Sequence, residues 1–172
     1  MIIEILASII GFFLLISLDH LFISLGFFSI WAFLIIYLYQ KLHRSVIWAT
    51  LLLVGASLGI TVGIGGGTYI LSGGVAIMFL FLAKKFFPDN YFFSRYIPYI
   101  FSYFIFYTLR MILGEFSNSN IFPQIGWSEI LGFLLVSLIS TLLVILIDRL
   151  YLQLRSNGVV LKRGIGIEIR RR

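Results

Sequence analysis

The side chains that could do chemistry in this chain are few and scattered. Its two histidines, His20 and His43, flank an apolar run from Leu21 to Gln40. A run of about 20 apolar residues crosses a bilayer, so the two imidazoles are expected on opposite faces and cannot share a metal. There is no cysteine, hence no disulfide framework and no thiolate metal site. The seven acids, Glu4, Asp19, Asp89, Glu115, Glu129, Asp148 and Glu168, fall at the ends of apolar stretches or between them. No pair of carboxylates sits inside a stretch as a proton-coupled pump requires. Gly65-Gly66-Gly67 lacks the Lys-Ser/Thr ending and the preceding strand of a phosphate loop. The residues therefore predict no catalytic set, no cofactor and no metal ligand.

Three features have spacing that means something. Gly55, Gly59, Gly63 and Gly67 recur every four residues, which on a helix is one stripe. Without side chains such a stripe lets another helix approach closely, either within the chain or from a partner. Tyr96, Tyr99, Tyr103, Tyr107 and Arg110 follow at spacings of 3, 4, 4 and 3, again one helical face. Hydroxyls in lipid need partners, so this face should point into a bundle, for interhelical hydrogen bonds or to line a cavity. Arg110 is the one basic residue of 13 that falls inside an apolar stretch. It either pairs with Asp19 or Glu115 at the outer edge or snorkels to the headgroups.

These features need a membrane frame. Of the 172 residues 60% are hydrophobic and 12% charged, against roughly 25% charged in a soluble domain. The apolar stretches are about Ile5–Leu18, Leu21–Gln40, Val46–Ile64, Thr68–Ala83, Ile97–Gly114 and Ile130–Asp148. Lys41, Arg44, Lys84, Lys85, Arg95, Arg149 and the tail arginines and lysine fall in alternate connections, and the other connections hold none. Basic loops resist translocation, so this alternation sets orientation. It predicts an all-α integral membrane protein, six transmembrane helices in one bundle with both termini cytoplasmic. Lys41–Ser45 and Lys84–Tyr96 are inner loops. The outer loops lie around Asp19-His20, around Gly65-Gly66-Gly67, and at Glu115–Glu129. Ile16–Ser29 carries enough polar residues to lie partly along the outer surface, with a second span then starting near Phe28. Pro98 is expected in the first turn of the fifth helix, where its missing N–H costs little. Residues 1–152 form the bundle and 153–172 a basic cytoplasmic tail. The net charge of +6 reads as orientation and contact with anionic lipid, not as a nucleic-acid footprint. The N-terminus lacks the basic n-region and cleavage site of a signal peptide.

From Ser29 to Phe87 the chain resembles the MreD family of bacterial rod shape-determining membrane proteins. The resemblance rests on Trp31 opening an apolar run, the basic turn Leu42-His43-Arg44, then Gly55-Ala56-Ser57-Leu58 leading to Gly63 and Gly67, and a fourth span ending in Ala83-Lys84-Lys85-Phe86-Phe87. It implies a non-enzymatic scaffold subunit of the cell-wall elongation machinery in the bacterial cytoplasmic membrane. Its implied partners are an MreC-like bitopic protein and wall-synthesis membrane enzymes. Where the family usually has a Pro-Asn-like pair this chain has Ser29-Ile30, and where it usually has an Asp in the third span this chain has Gly59. No role for that Asp carries over. The alternative reading is a substrate-binding subunit of an energy-coupling-factor-type vitamin transporter, also six-spanned. Such subunits typically show Ala-x-x-x-Ala in the first span, and here Ala7-x-x-x-Gly11 is a near match.

Overall fold

The computed structural model describes residue 11 and residues 13–22, 29–39, 43–62, 66–87, 91–119 and 125–156. Every regular element among them is a helix: α1 (Phe13–Phe22), α2 (Ile30–Leu38), α3 (Arg44–Val62), α4 (Gly66–Phe86), α5 (Phe92–Ser119) and α6 (Trp127–Ser156). The ends follow local chemistry. Helix α3 stops immediately before Gly63, and α4 opens on Gly66. Lys84 and Lys85 fill the last turn of α4, where cations suit the carbonyl end of the helix. Pro88 follows two residues later and cannot continue it.

Helices α3, α4, α5 and α6 pack as consecutive neighbours, and α2 lies against α3, α4 and α5. Helix α2 has 9 residues, so it is about 13 Å long at 1.5 Å per residue. It is apolar all round, and Trp31, Ala32, Phe33, Ile35, Ile36 and Tyr37 are buried, as expected of a helix enclosed by others. The long helices turn apolar side chains outward: Leu52, Leu53, Leu71, Met78, Leu131, Leu142 and Leu146 are exposed. Monomeric soluble proteins rarely show apolar surface on this scale, whereas a bilayer supplies its partner. Gly67–Phe86, Phe92–Ser117 and Trp127–Gln153 are long and apolar enough to cross a membrane. Exposed aromatics gather near helix ends, with Tyr91 and Phe93 at the start of α5 and Trp127 at the start of α6, the positions of interfacial belts.

Four expectations change. Asp19-His20 is not a loop: α1 runs on to Phe22, and Asp19 is buried. Helix α2 opens at Ile30 and not at Leu21, close to the shorter second span that the polar content of Ile16–Ser29 suggests. Pro98 lies inside α5 and not in its first turn, because Phe92-Phe93-Ser94-Arg95 is helical. Helix α6 passes Asp148 and continues to Ser156, so the start of the tail is helical; residues 157–172 lie outside the described set, as does Ala7.

Candidate functional site

The tyrosine face of α5 is buried along its length at Tyr96, Tyr99, Tyr103 and Tyr107. It grips the backbone of α2. The Tyr103 hydroxyl donates to the Phe33 carbonyl oxygen at 3.1 Å, and the Tyr107 hydroxyl accepts from the Ser29 N–H at 3.0 Å. A short helix in apolar surroundings cannot satisfy its first amides alone, and each orphan is costly there. Tyrosine on a neighbour supplies the missing partners without a charge.

The N-terminus of α2 is completed by α1. Asp19 Oδ1 accepts from the Trp31 N–H at 2.9 Å. Both its carboxylate oxygens lie 3.1 Å from Ser29 Oγ, which donates to them. Ser29 is the N-cap, extended at φ −76° and ψ 116°, and its Oγ accepts from the Ala32 N–H at 3.1 Å. Two amides of the first turn, those of Trp31 and Ala32, are thereby held, and a carboxylate at a helix N-terminus also meets the positive end of the helix dipole. Ser29 before an apolar run is an N-cap signal in the sequence. Nothing local in the sequence says that Asp19 reaches it.

A second carboxylate closes the other end of the face. Asp148 of α6 accepts from the Tyr37 hydroxyl at 3.1 Å and from the Tyr96 hydroxyl at 3.4 Å. Arg95 lies 3.5 Å away, with its own side chain 46% exposed. The Lys84 ammonium sits 4.8 Å over the Tyr99 ring.

Between the two ends, Trp31 wedges α2 against α3 and α4. A side chain begun at Gly73 would meet the indole at 3.2 Å. One begun at Gly55 would meet it at 3.5 Å and Ile70 at 3.2 Å. Tyr69 packs edge-on to the indole at 5.9 Å, and Phe106 is 6.1 Å away. Gly55 is therefore a close-packing position. The glycine row is not one stripe on one helix, because α3 ends at Val62 and Gly67 belongs to α4, exposed and with nothing within 4 Å of a built Cβ. Gly66 and Gly67 open α4, so the row is divided between two helices. Gly59 lies within α3, and Gly63 is outside the described residues. Gly73, which the four-residue spacing does not include, is the other half of the Trp31 slot.

Arg110 is half-buried, and its guanidinium carbon lies 5.4 Å over the Tyr69 ring. Asp19, the buried acid considered for it, feels its charge but gives its oxygens to Ser29 and Trp31. Arg110 also lines a cavity of about 390 Å³ between α5 and α6, with Tyr107, Met111, Glu115, Glu129 and Phe133. Glu129 Oε2 accepts from Ser128 Oγ at 3.0 Å at the start of α6. Among the described residues, three buried polar atoms have no hydrogen-bond partner: Trp31 Nε1, Tyr69 Oη and Thr108 Oγ1. Among the described residues no group of His, Cys, Asp and Glu is placed to hold a metal. His43 meets Ser45 Oγ at 2.7 Å, and His20 is exposed. Compared with known proteins, the chain matches no family model, no curated protein and no solved structure.

Proposed function

We propose that this chain is a six-span protein of a bacterial cytoplasmic membrane, with both termini cytoplasmic. On this reading it is a non-enzymatic scaffold subunit of the cell-wall elongation machinery, acting through helix-to-helix contact. Loop charge supports the orientation, and the MreD resemblance of Ser29–Phe87 supports the setting. The basic tail would lie on anionic lipid. The observation that carries the contact reading is an apolar groove of about 470 Å³ on the outer face of α3 and α4, lined by Trp48, Leu52, Leu71, Gly74, Val75 and Met78. Gly74 forms a low point in it, with ordinary spacing of 3.8 Å to Trp48. Small residues at such a point let a single partner helix approach closely in lipid, where van der Waals contact drives association. An MreC-like bitopic protein has one helix to offer.

Two experiments test this. Single cysteines at His20 and His43, probed with an impermeant thiol reagent on intact cells, should label at 20 and not at 43; labelling at 43 contradicts the orientation. Gly74→Phe should fill the groove and abolish capture of the bitopic partner from solubilised membranes, with the helical content intact. Undiminished capture by this variant contradicts the groove as the contact.

A further inference from the structure

A slot of about 220 Å³ runs between α5 and α6. Phe93, Ile97 and Ile100 wall it on one side, and Leu138, Leu142 and Ile145 on the other. Phe93 and Ile100 are seven residues apart, as are Leu138 and Ile145, so the slot is about 10 Å long at 1.5 Å per residue. Phe93, Leu138 and Leu142 are exposed at its mouth. Two polar residues border it, and both turn elsewhere. The Tyr96 hydroxyl donates to Asp148 at 3.4 Å, and Thr141 Oγ1 donates to the Ser137 carbonyl oxygen at 2.9 Å. The walls that remain are hydrocarbon and aromatic ring. The volume is below the roughly 300–1,000 Å³ of sites that enclose a whole small molecule, so the slot suits one limb of a larger amphiphile.

One end of the slot is charged. Leu138, Leu142, Ile145 and Arg149 follow at spacings of 4, 3 and 4, which is one face of α6, so the exposed Arg149 stands a turn beyond the slot. Arg95 reaches the same end from α5, with its guanidinium carbon 5.6 Å over the Tyr96 ring and Nη2 3.5 Å from Asp148. That contact engages one nitrogen of a group with five N–H donors, and the Arg95 side chain is 46% exposed. Asp148 is buried and accepts from Tyr37 and Tyr96, while both arginines reach the surface. An apolar slot that ends at two arginines has the layout of a phospholipid, chain first and phosphate after it. The guanidinium fork suits phosphate, and basic pockets between membrane helices take acidic headgroups. A choline or ethanolamine headgroup would bring a further cation to the two arginines, which selects against zwitterionic lipid. We propose that the slot holds one acyl chain of an anionic phospholipid, with its phosphate between Arg95 and Arg149. This rests on the membrane setting of the chain and not on its scaffold role or its orientation. It differs from lipid contact by the basic tail, which needs surface charge alone.

The test uses the full chain, purified in detergent and read by native mass spectrometry. Phosphatidylglycerol or phosphatidylcholine with the same acyl chains is titrated in. One retained phosphatidylglycerol per chain is expected, held about tenfold more tightly than phosphatidylcholine. Arg149→Gln should weaken retention about fivefold, the equivalent of the ~1 kcal/mol that one arginine contributes near an anionic surface. Leu142→Trp should fill the mouth of the slot and weaken retention about tenfold with every charge unchanged. Leu142 is exposed, so the larger ring leaves the core in place. Excess inorganic phosphate should not displace the lipid, because it has no chain to seat in the slot. Equal retention of the two lipids overturns the proposal. So does phosphatidylglycerol retention indifferent to Leu142→Trp, which is what the tail alone would give. Displacement by inorganic phosphate overturns it too, by marking a site for a free anion. None of these outcomes bears on the cysteine labelling or the partner capture, which test the scaffold reading separately.

Discussion

Asp19 and Asp148 are both buried carboxylates at the ends of one tyrosine face, yet they hold different things. Asp19 holds backbone. Its donors are the Trp31 amide and the N-cap Ser29 hydroxyl, and it is completely enclosed. Asp148 holds side chains. Its donors are the Tyr37 and Tyr96 hydroxyls and a half-exposed Arg95. The Arg95 guanidinium, half-exposed, can turn to water when a carboxylate is lost; a buried helix amide cannot. The first end should therefore define where α2 sits, and the second should tune it.

The largest effect follows from emptying the Asp19 end. Asp19→Leu strands the Trp31 amide and the Ser29 hydroxyl, each costing about 1–3 kcal/mol when buried and unpaired. A stability loss of about 3 kcal/mol or more is expected in detergent unfolding. A loss below that of Asp148→Leu would reverse the comparison. Next comes the Trp31 slot, which separates the glycines that pack from those that do not. Gly73→Leu should cost about 1–3 kcal/mol by overpacking, with the indole emission of Trp31 shifted, while Gly67→Ala should leave thermal unfolding unchanged. Equal effects would dissolve the distinction. Smaller again is Tyr103→Phe, which removes the hydrogen bond to the Phe33 carbonyl and should cost about 1 kcal/mol. The smallest belongs to the Asp148 end. Arg95→Gln breaks a pair whose arginine is half-exposed, worth about 0–1 kcal/mol and screened by salt. A larger cost that persists in high salt would mean that Asp148 is as rigidly held as Asp19.

Which parts of this were legible in the sequence depends on range. Helices α3 to α6 follow from apolar runs bounded by glycine, lysine and proline, signals that act within a few residues. The burial of Tyr99, Tyr103 and Tyr107 follows from their 3–4 spacing, because a row of hydroxyls cannot face lipid. Asp19 was misplaced because charge beside a histidine reads as a loop. Its actual role depends on α2 being short and needing a cap from another helix. Pro98 was misplaced for a related reason: Ser94 and Arg95 look like loop residues, but Arg95 is drawn into the helix toward Asp148. The Trp31 slot joins Gly55 and Gly73 across two helices and has no periodic signature. The seat of Arg110 over the Tyr69 ring is likewise a tertiary fact, since sequence distance alone points to Asp19 and Glu115 as its partners.

The scaffold reading is tested most directly in a depletion strain of the source organism, complemented in turn by the native chain, Gly74→Phe and Arg95→Gln, with cell width measured under the microscope. The account predicts widened or rounded cells on depletion, rescue by the native chain and by Arg95→Gln, and failure of Gly74→Phe despite normal insertion. Normal cell width on depletion, together with tight binding of a vitamin by the purified protein, would contradict it and establish the transport alternative.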